Sequence, residues 1–236
     1  MDGSSLSWSL LLAAFGVGVV HTVLGPDHYL PFIMLAKARG WTRLRTVLVT
    51  SACGVGHVAS SVLLGGLGIV FGVAIGKLEI MESGRGNLAA WAIVAFGIAY
   101  TLWGLRYALR TRTGLEAHVH GEEVHIHSHG LSPHGHEHRR IAADTTFWTL
   151  FVIFVLGPCE PLIPLFALPA SQGRWDVALL TAGVFGLATL MSMVGITLAG
   201  LEGLKLVNLG PLERWAHVAA GGIIAAAGLS VIYLGL

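Results

Sequence analysis

The sequence His21-Thr22-Val23-Leu24-Gly25-Pro26-Asp27-His28-Tyr29-Leu30-Pro31 interrupts a long apolar segment with two imidazoles, a carboxylate and a Gly-Pro pair. Ionisable side chains at membrane depth are costly and are functional by default. In a straight helix the two histidines would lie about 10 Å apart along the axis, too far for one metal ion to bind both. Because Gly25 relaxes the backbone and Pro26 removes an N–H donor, we expect the helix to break here and bring them together. The alternative is a kinked helix whose histidines only bond neighbouring helices.

A similar pattern recurs about 132 residues later, in the sequence Leu156-Gly157-Pro158-Cys159-Glu160-Pro161-Leu162-Ile163-Pro164-Leu165-Phe166. Both copies contain Leu-Gly-Pro followed by two polar residues, and the second gains a residue or two before its Pro and Phe. A fainter match pairs Gly54–Ser60 with Gly183–Thr189. Two halves of a membrane protein that each carry a Pro-broken helix in the corresponding place indicate a transporter site where the repeats meet.

Composition predicts an all-α, polytopic membrane protein. Hydrophobic residues make up 54% of the 236 residues and charged residues only 11%, whereas soluble domains carry roughly 25% charged residues. The net charge of +1 gives no reason to expect a nucleic-acid partner. Six hydrophobic spans approach or exceed the ~20 residues that cross a bilayer. These predicted spans are Trp8–Ala36, Thr46–Gly76, Leu88–Leu109, Thr145–Pro169, Asp176–Gly200 and Trp215–Leu236.

Basic residues predict the orientation in the inner (cell) membrane. Eleven of the 14 lysines and arginines flank or fill the first, third and fifth loops, and three fall in the other loops. The positive-inside rule therefore puts the first, third and fifth loops in the cytoplasm and both termini outside. We expect two repeats, 1–114 and 141–236, around a cytoplasmic loop at 115–140. Three spans per repeat is an odd number, so the repeats should be inverted. The cytoplasmic residues are Lys37, Arg39, Arg43, Arg45, Arg106, Arg110, Arg112, Arg139, Arg140, Lys205 and Arg214, and the external ones are Lys77, Arg85 and Arg174.

The third loop is rich in histidine. It holds eight of the twelve histidines, mostly as His-x-His, with glycine and proline residues that argue against regular structure. Such composition is typical of low-specificity metal binding, and a polar linker is the alternative. We interpret the loop as an accessory collector or sensor of metal. Its histidines are His118, His120, His125, His127, His129, His134, His136 and His138.

Six residues inside the predicted spans are candidate metal ligands: His21, Asp27, His28, His57, Cys159 and Glu160. Imidazole suits nickel, cobalt, zinc and copper, and geometry must then select among them. For His57 the alternative role is hydrogen bonding between helices, and for Cys159 it is simple packing. Glu160 has no basic partner in its span, so it should pair with a histidine, a proton or a cation.

These motifs together resemble the nickel/cobalt transporter superfamily over essentially the whole chain, and in particular its six-span urease-accessory-type members. The family's import signature, His-x₄-Asp-His, falls on His21, Asp27 and His28, with one extra residue in this sequence. The resemblance implies a transporter and not an enzyme. Its cargo would be nickel or cobalt, with zinc a third candidate. No permanent cofactor is expected, and a cytoplasmic metallochaperone is a candidate partner beside the lipid bilayer. The direction of transport stays open.

Two other classes compete. Membrane thiol-disulfide electron carriers of the cytochrome-maturation type also have inverted three-helix repeats with Cys-Pro breaks, and Gly-Pro-Cys159 resembles one of them. Thiol exchange needs a second sulfur, but the first half has Asp27 at the equivalent position and Cys53 lies one span away. An exporter of a small organic or sulfur-containing anion would want cationic residues near the midplane, and none of the six candidates is a lysine or an arginine.

Overall fold

The computed structural model describes residues 3–110, 119–120, 123–124, 135–206 and 214–235, with side chains at 8–109, 145–205 and 214–235. These residues are almost entirely helical, as predicted. A two-residue antiparallel pairing joins β1 to β2 inside the third loop, where no regular structure was expected. The elements are α1 (Gly3–Leu24), α2 (Leu30–Arg39), α3 (Arg43–Val70), α4 (Ile75–Arg110), β1 (Val119–His120), β2 (Glu123–Val124), α5 (Gly135–Leu156), α6 (Leu162–Ser171), α7 (Trp175–Leu206) and α8 (Ala216–Leu234).

The first predicted break is confirmed. Helix α1 ends at Leu24, a 3-10 turn spans Pro26–His28, and the chain then bends by 85° into α2. Pro26 stands at the start of the turn, where its missing N–H costs nothing. The backbone N–H of His28 closes the turn on the Gly25 carbonyl at 3.1 Å. The local chemistry of Gly-Pro therefore sets both the position of the break and its compactness.

The second break also falls at its predicted place. Helix α5 ends at Leu156, and α6 begins at Leu162 after the segment Gly157-Pro158-Cys159-Glu160-Pro161. Two prolines in this segment remove backbone donors, so a continuous helix cannot form. The backbone N–H of Leu162 donates to the Cys159 carbonyl at 2.8 Å and starts the next helix.

The six predicted spans do not all appear as single long helices. In the described residues, four helices are long and apolar enough to cross a membrane, and the bent α1–α2 pair makes a fifth candidate. The predicted span Thr145–Pro169 is instead divided between two short apolar segments, Thr145–Leu156 at the end of α5 and Leu162–Ser171, which is α6. The structure thus establishes several membrane-length apolar helices but not six crossings.

The second loop is shorter than predicted. The third span was expected to begin at Leu88, but α4 begins at Ile75, so the residues taken for an external loop are helical. Arg85, which the charge count placed in that loop, lies in α4 with only 19% of its side chain exposed. Its neighbour Glu82 is fully buried. The low local hydropathy that suggested a loop thus comes in part from the ion pair of Glu82 and Arg85.

The helices pack in pairs around the two breaks. Helix α4 lies against α8, α1 against α7 and α3 against α5, while α3 and α7 also meet. One buried apolar cluster surrounds Phe32, Cys53 and Phe154, and a second surrounds Cys159 and Phe185. The two broken segments lie between these helix pairs, and Gly25, His28, Gly157 and Cys159 are buried there.

The α4–α8 contact depends on glycine, and this gives a matched test. A Cβ added at Gly221 would lie 2.7 Å from the Gly97 carbonyl oxygen and against the backbone of Thr101, whereas one added at Gly222 meets nothing within 4 Å. We expect Gly221→Ala to lower the stability by about 1–3 kcal/mol, as overpacking does. Gly222→Ala should change it by less than about 1 kcal/mol. Thermal unfolding in detergent measures both, and equal effects would contradict the close approach of the two helices.

Candidate metal site

Three histidine rings meet at the first break. His21 comes from the last turn of α1, His28 from the 3-10 turn and His57 from the middle of α3. The ring centroids of His21 and His28 are 4.7 Å apart, those of His28 and His57 are 5.1 Å apart, and those of His21 and His57 are 6.5 Å apart. The bend between α1 and α2 brings His28 back to His21, which a straight helix could not do.

The second break adds a thiol to the same place. Among the residues whose side chains are described, His21, His57 and Cys159 each offer one ligand atom, and these atoms lie within 4.8 Å of one another. His57 and Cys159 are buried and His21 is partly buried. Such spacing suits groups that surround one cation, because metal bonds of roughly 2–2.3 Å place neighbouring ligand atoms within a few ångströms.

The imidazole nitrogens are oriented for metal binding. The Nε2 atoms of His21, His28 and His57 are all buried and have no hydrogen-bond partner among the described residues. His57 Nδ1 lies 3.2 Å from the Phe154 carbonyl oxygen, which can only accept, so Nδ1 carries the hydrogen. In the neutral ring Nε2 then holds a free lone pair. Buried polar atoms without partners are rare, so three of them on neighbouring rings point to a ligand.

Asp27 orients His28. Its carboxylate Oδ1 lies 3.0 Å from His28 Nδ1, and the Gly25 carbonyl oxygen lies 3.2 Å from the same nitrogen. Both oxygens accept, so Nδ1 carries the hydrogen and Nε2 of the neutral imidazole holds a free lone pair. His28 itself is not among the residues whose ligand atoms lie within 4.8 Å of one another. A carboxylate behind a metal-binding histidine fixes the tautomer and raises the basicity of the ring. Asp27, predicted as a candidate ligand, contacts the ring of His28, and it also lines the cavity described below.

Asp27→Asn is expected to weaken metal binding by about 10–100-fold, as losses of outer-shell partners typically do. The amide keeps the size of the side chain but removes the charge that favours the required tautomer. Asp176→Asn, at an exposed position in the first turn of α7, is the matched control. Isothermal titration of both variants with cobalt measures the difference, and equal affinities would contradict the orienting role of Asp27.

Glu160 lies apart from the cluster. Its side chain is exposed and lines the cavity near Gly86 of α4, where a Cβ on that glycine would lie 3.5 Å from Glu160 Oε1. The structure therefore does not bring it together with His21, His57 and Cys159. The predicted collector histidines of the third loop lie outside the residues whose side chains are described.

A cavity of about 780 Å³ leads to the histidines. It is lined by the second half of α1, the first half of α4, the end of α8 and both breaks. It extends from exposed Ser83 and Asn87 to buried His57. Next to His57, the ring of Phe154 lies 4.8 Å from that of Phe32, and both residues are buried. The cavity thus joins exposed residues of α4 to the buried His57.

Sequence reasoning missed a polar network beside the second break. Glu82 and Arg85 form an ion pair, Ser61 Oγ donates to Glu82 Oε2 at 3.0 Å, and the Cys159 N–H donates to Ser61 Oγ at 3.0 Å. The available signal was the i, i+3 spacing of Glu82 and Arg85 next to an apolar run, because two such residues lie on one face of a helix. The network fixes the backbone of the residue that carries the thiol.

Comparison of this chain with protein-family models, with curated proteins and with solved structures finds no match. The chemistry of the site is therefore argued from its own side chains. These are three imidazoles with buried, unpaired Nε2 atoms, a buried thiol and a carboxylate behind one ring.

Proposed function

We propose that this protein transports a divalent transition-metal cation across a membrane, with nickel or cobalt as the first candidates. The observation that carries the proposal is the group of ligand atoms from His21, His57 and Cys159, which lie within 4.8 Å of one another beside the ring of His28, next to a cavity in an apolar helix bundle. Polar groups at such depth are costly without a ligand. A cation that enters the cavity would satisfy all of them at once.

The charges of the cluster suit a dication. Three neutral imidazoles contribute lone pairs, while the Asp27 carboxylate and a Cys159 thiolate contribute two negative charges. The bound state is then close to neutral, which lowers the cost of moving it through a low-dielectric region. Cys159 binds metal as the thiolate and not as the protonated thiol, so metal binding should release a proton.

The helix contacts support the proposed inverted repeats of three spans each. Helix α1 packs on α7, and α5, its counterpart in the second half, packs on α3, the counterpart of α7. Helices α3 and α7 contact each other, and so do α4 and α8, as equivalent elements across a two-fold axis would. Transporters of this kind bind cargo at broken helices between repeats and expose the site alternately to each side.

The charge pattern gives the proposed orientation. The cavity lies at the end of the bundle that holds the start of α4 and the end of α8. With the first, third and fifth loops in the cytoplasm, this end faces outward, and the Phe32–Phe154 contact closes the inward side. Transport would then require this contact to open while the outer cavity closes.

The identity of the metal is proposed from the ligands and from the resemblance to nickel/cobalt transporters. Imidazole and thiolate together favour cobalt, nickel, zinc and copper over magnesium, calcium and manganese. A site with three imidazoles and one thiolate is too soft for the harder cations. The His-rich loop is proposed to raise the local concentration of metal on the cytoplasmic side, without forming part of the path.

The two rival classes receive less support. Cys53 and Cys159 are both free and buried, in different apolar clusters, so the thiol partner that a disulfide carrier needs is missing near Cys159. Arg85 is a cation near the second break, but Glu82 and backbone carbonyl oxygens engage its guanidinium. It is therefore poorly placed to bind an anionic cargo.

Equilibrium binding tests the proposal directly. The eight loop histidines are replaced by glutamine so that only the core site remains, and the purified protein is titrated with cobalt. We expect one cobalt ion per chain, together with a thiolate-to-cobalt charge-transfer band from Cys159. Magnesium in excess should not displace it, because magnesium prefers oxygen ligands. Binding that is no tighter than that of the same protein carrying His57→Gln would contradict the proposal.

A further inference from the structure

The second break leaves backbone carbonyls that its own helix cannot pair. Helix α5 ends at Leu156, and neither Pro158 nor Pro161 has an N–H, so the last carbonyls of the helix need other donors. Arg85 supplies a donor to two carbonyls at the break. One of its terminal nitrogens, Nη2, lies 2.7 Å from the Val155 carbonyl oxygen and 3.5 Å from that of Gly157. An arginine of α4 thus caps the helix that leads into Cys159.

The same arginine is held by a buried carboxylate. Arg85 Nη1 pairs with Glu82 Oε1, and Nη2 also donates to Ser60 Oγ at 2.8 Å. The Glu82 side chain has no exposed surface, and a buried carboxylate persists only when it is paired and hydrogen-bonded. The planar fork of a guanidinium reaches several acceptors at fixed angles, which a lysine ammonium cannot do.

The network ends at the backbone of Cys159. Its N–H donates to Ser61 Oγ at 3.0 Å, and Ser61 Oγ donates to Glu82 Oε2 at the same distance. Ser61 lies four residues after His57 in α3, so both project from neighbouring positions on one helix face. Helix α3 therefore carries one candidate ligand and, one turn later, the anchor for another.

We propose that Arg85, Glu82 and Ser61 are positioning residues that hold the Cys159 sulfur within the metal site. The proposal rests on the proposed metal function. None of the three needs to touch the ion, because together they fix the end of α5, the backbone of Cys159 and the distance between this residue and His57. The network thereby links the second break to α3, the helix that carries His57, which meets the histidines of the first break.

Three variants test the proposal in the protein without loop histidines, with cobalt as the probe. Ser61→Ala removes the acceptor of the Cys159 N–H, Arg85→Lys keeps the charge but not the fork, and Ser61→Thr keeps the hydroxyl. We expect Ser61→Ala and Arg85→Lys to bind cobalt about 10-fold more weakly, with a reduced thiolate-to-cobalt band per bound ion. Ser61→Thr should restore the band. Lys77→Gln, at an exposed position of α4, is the matched control and should behave as wild type.

The band distinguishes positioning from a purely structural ion pair. If Ser61→Ala and Arg85→Lys are less stable to heat but bind cobalt with the wild-type band and affinity, the positioning role is wrong while the metal site stands. If the protein that lacks only the loop histidines binds no cobalt, the proposed function itself fails. Should Arg85→Lys not fold, the comparison of Ser61→Ala with Ser61→Thr still decides, because each changes only a few atoms.

Discussion

Replacing His57 by glutamine is expected to abolish metal binding and transport at every practical metal concentration. His57 belongs to the group of close ligand atoms with His21 and Cys159, and its Nδ1 donates to the Phe154 carbonyl at the end of α5, so its loss removes a proposed ligand and a link between the two breaks. The loss of affinity should exceed the about 10–100-fold typical of outer-shell changes. Cobalt binding and flux into vesicles measure it.

His217 provides the control for this experiment. It is also partly buried and hydrogen-bonded, with Nδ1 2.9 Å from the Tyr100 hydroxyl, but it lies in an aromatic cluster outside the cavity lining. His217→Gln should therefore keep cobalt binding even if it lowers stability. Thermal unfolding of both variants separates a folding defect, which ~1–3 kcal/mol from an unpaired buried group can cause, from the loss of a ligand. Equal losses of binding in the two variants would contradict the assignment of His57.

Replacing Cys159 by serine is expected to change the metal preference of the protein. A hydroxyl is a harder and weaker ligand than a thiolate, so affinity for cobalt, nickel and zinc should fall while the histidines keep partial binding. The thiolate-to-cobalt band should disappear. Cys53→Ala is the control, because Cys53 is fully buried in the separate apolar cluster around Phe32. Competition titrations among nickel, cobalt, zinc and manganese measure the shift in preference.

The same variant separates the metal site from the rival redox class. A thiol-disulfide carrier would lose all activity on Cys159→Ser, and alkylation would reveal Cys159 cycling between oxidised and reduced forms with Cys53 as its partner. The two thiols lie in different clusters, so we expect no such cycling. Its observation would overturn the metal proposal in favour of electron transfer.

The breaks could be predicted from the sequence because their causes are local. Gly25-Pro26 and Gly157-Pro158 end their helices through missing donors and free backbone rotation, and the helices end at these positions. The meeting of His21 and His28 follows from the first break. That His57 would join them was a hypothesis from composition, because contacts between α3 and the breaks depend on long-range packing.

Other features were not local, and sequence reasoning missed or misplaced them. The charged side chains of Glu82 and Arg85 lower the local hydropathy and so favour the prediction of a loop, yet the two residues form an ion pair inside α4. Glu160 follows Cys159 directly and lines the cavity, but it is not part of the close group of His21, His57 and Cys159. The apolar part of α5, Thr145–Leu156, and α6 are each too short to confirm the predicted fourth crossing.

Flux of radioactive nickel and cobalt into vesicles that contain the purified protein tests the central claim most directly. Zinc and manganese serve as comparison ions, and vesicles with the His57→Gln protein serve as the matched control. We predict saturable entry of nickel or cobalt through the wild-type protein, little entry of manganese, and none above background through the variant. If none of the four ions moves through the wild-type protein, or if wild type and His57→Gln carry them equally, the proposed transport through this site is contradicted.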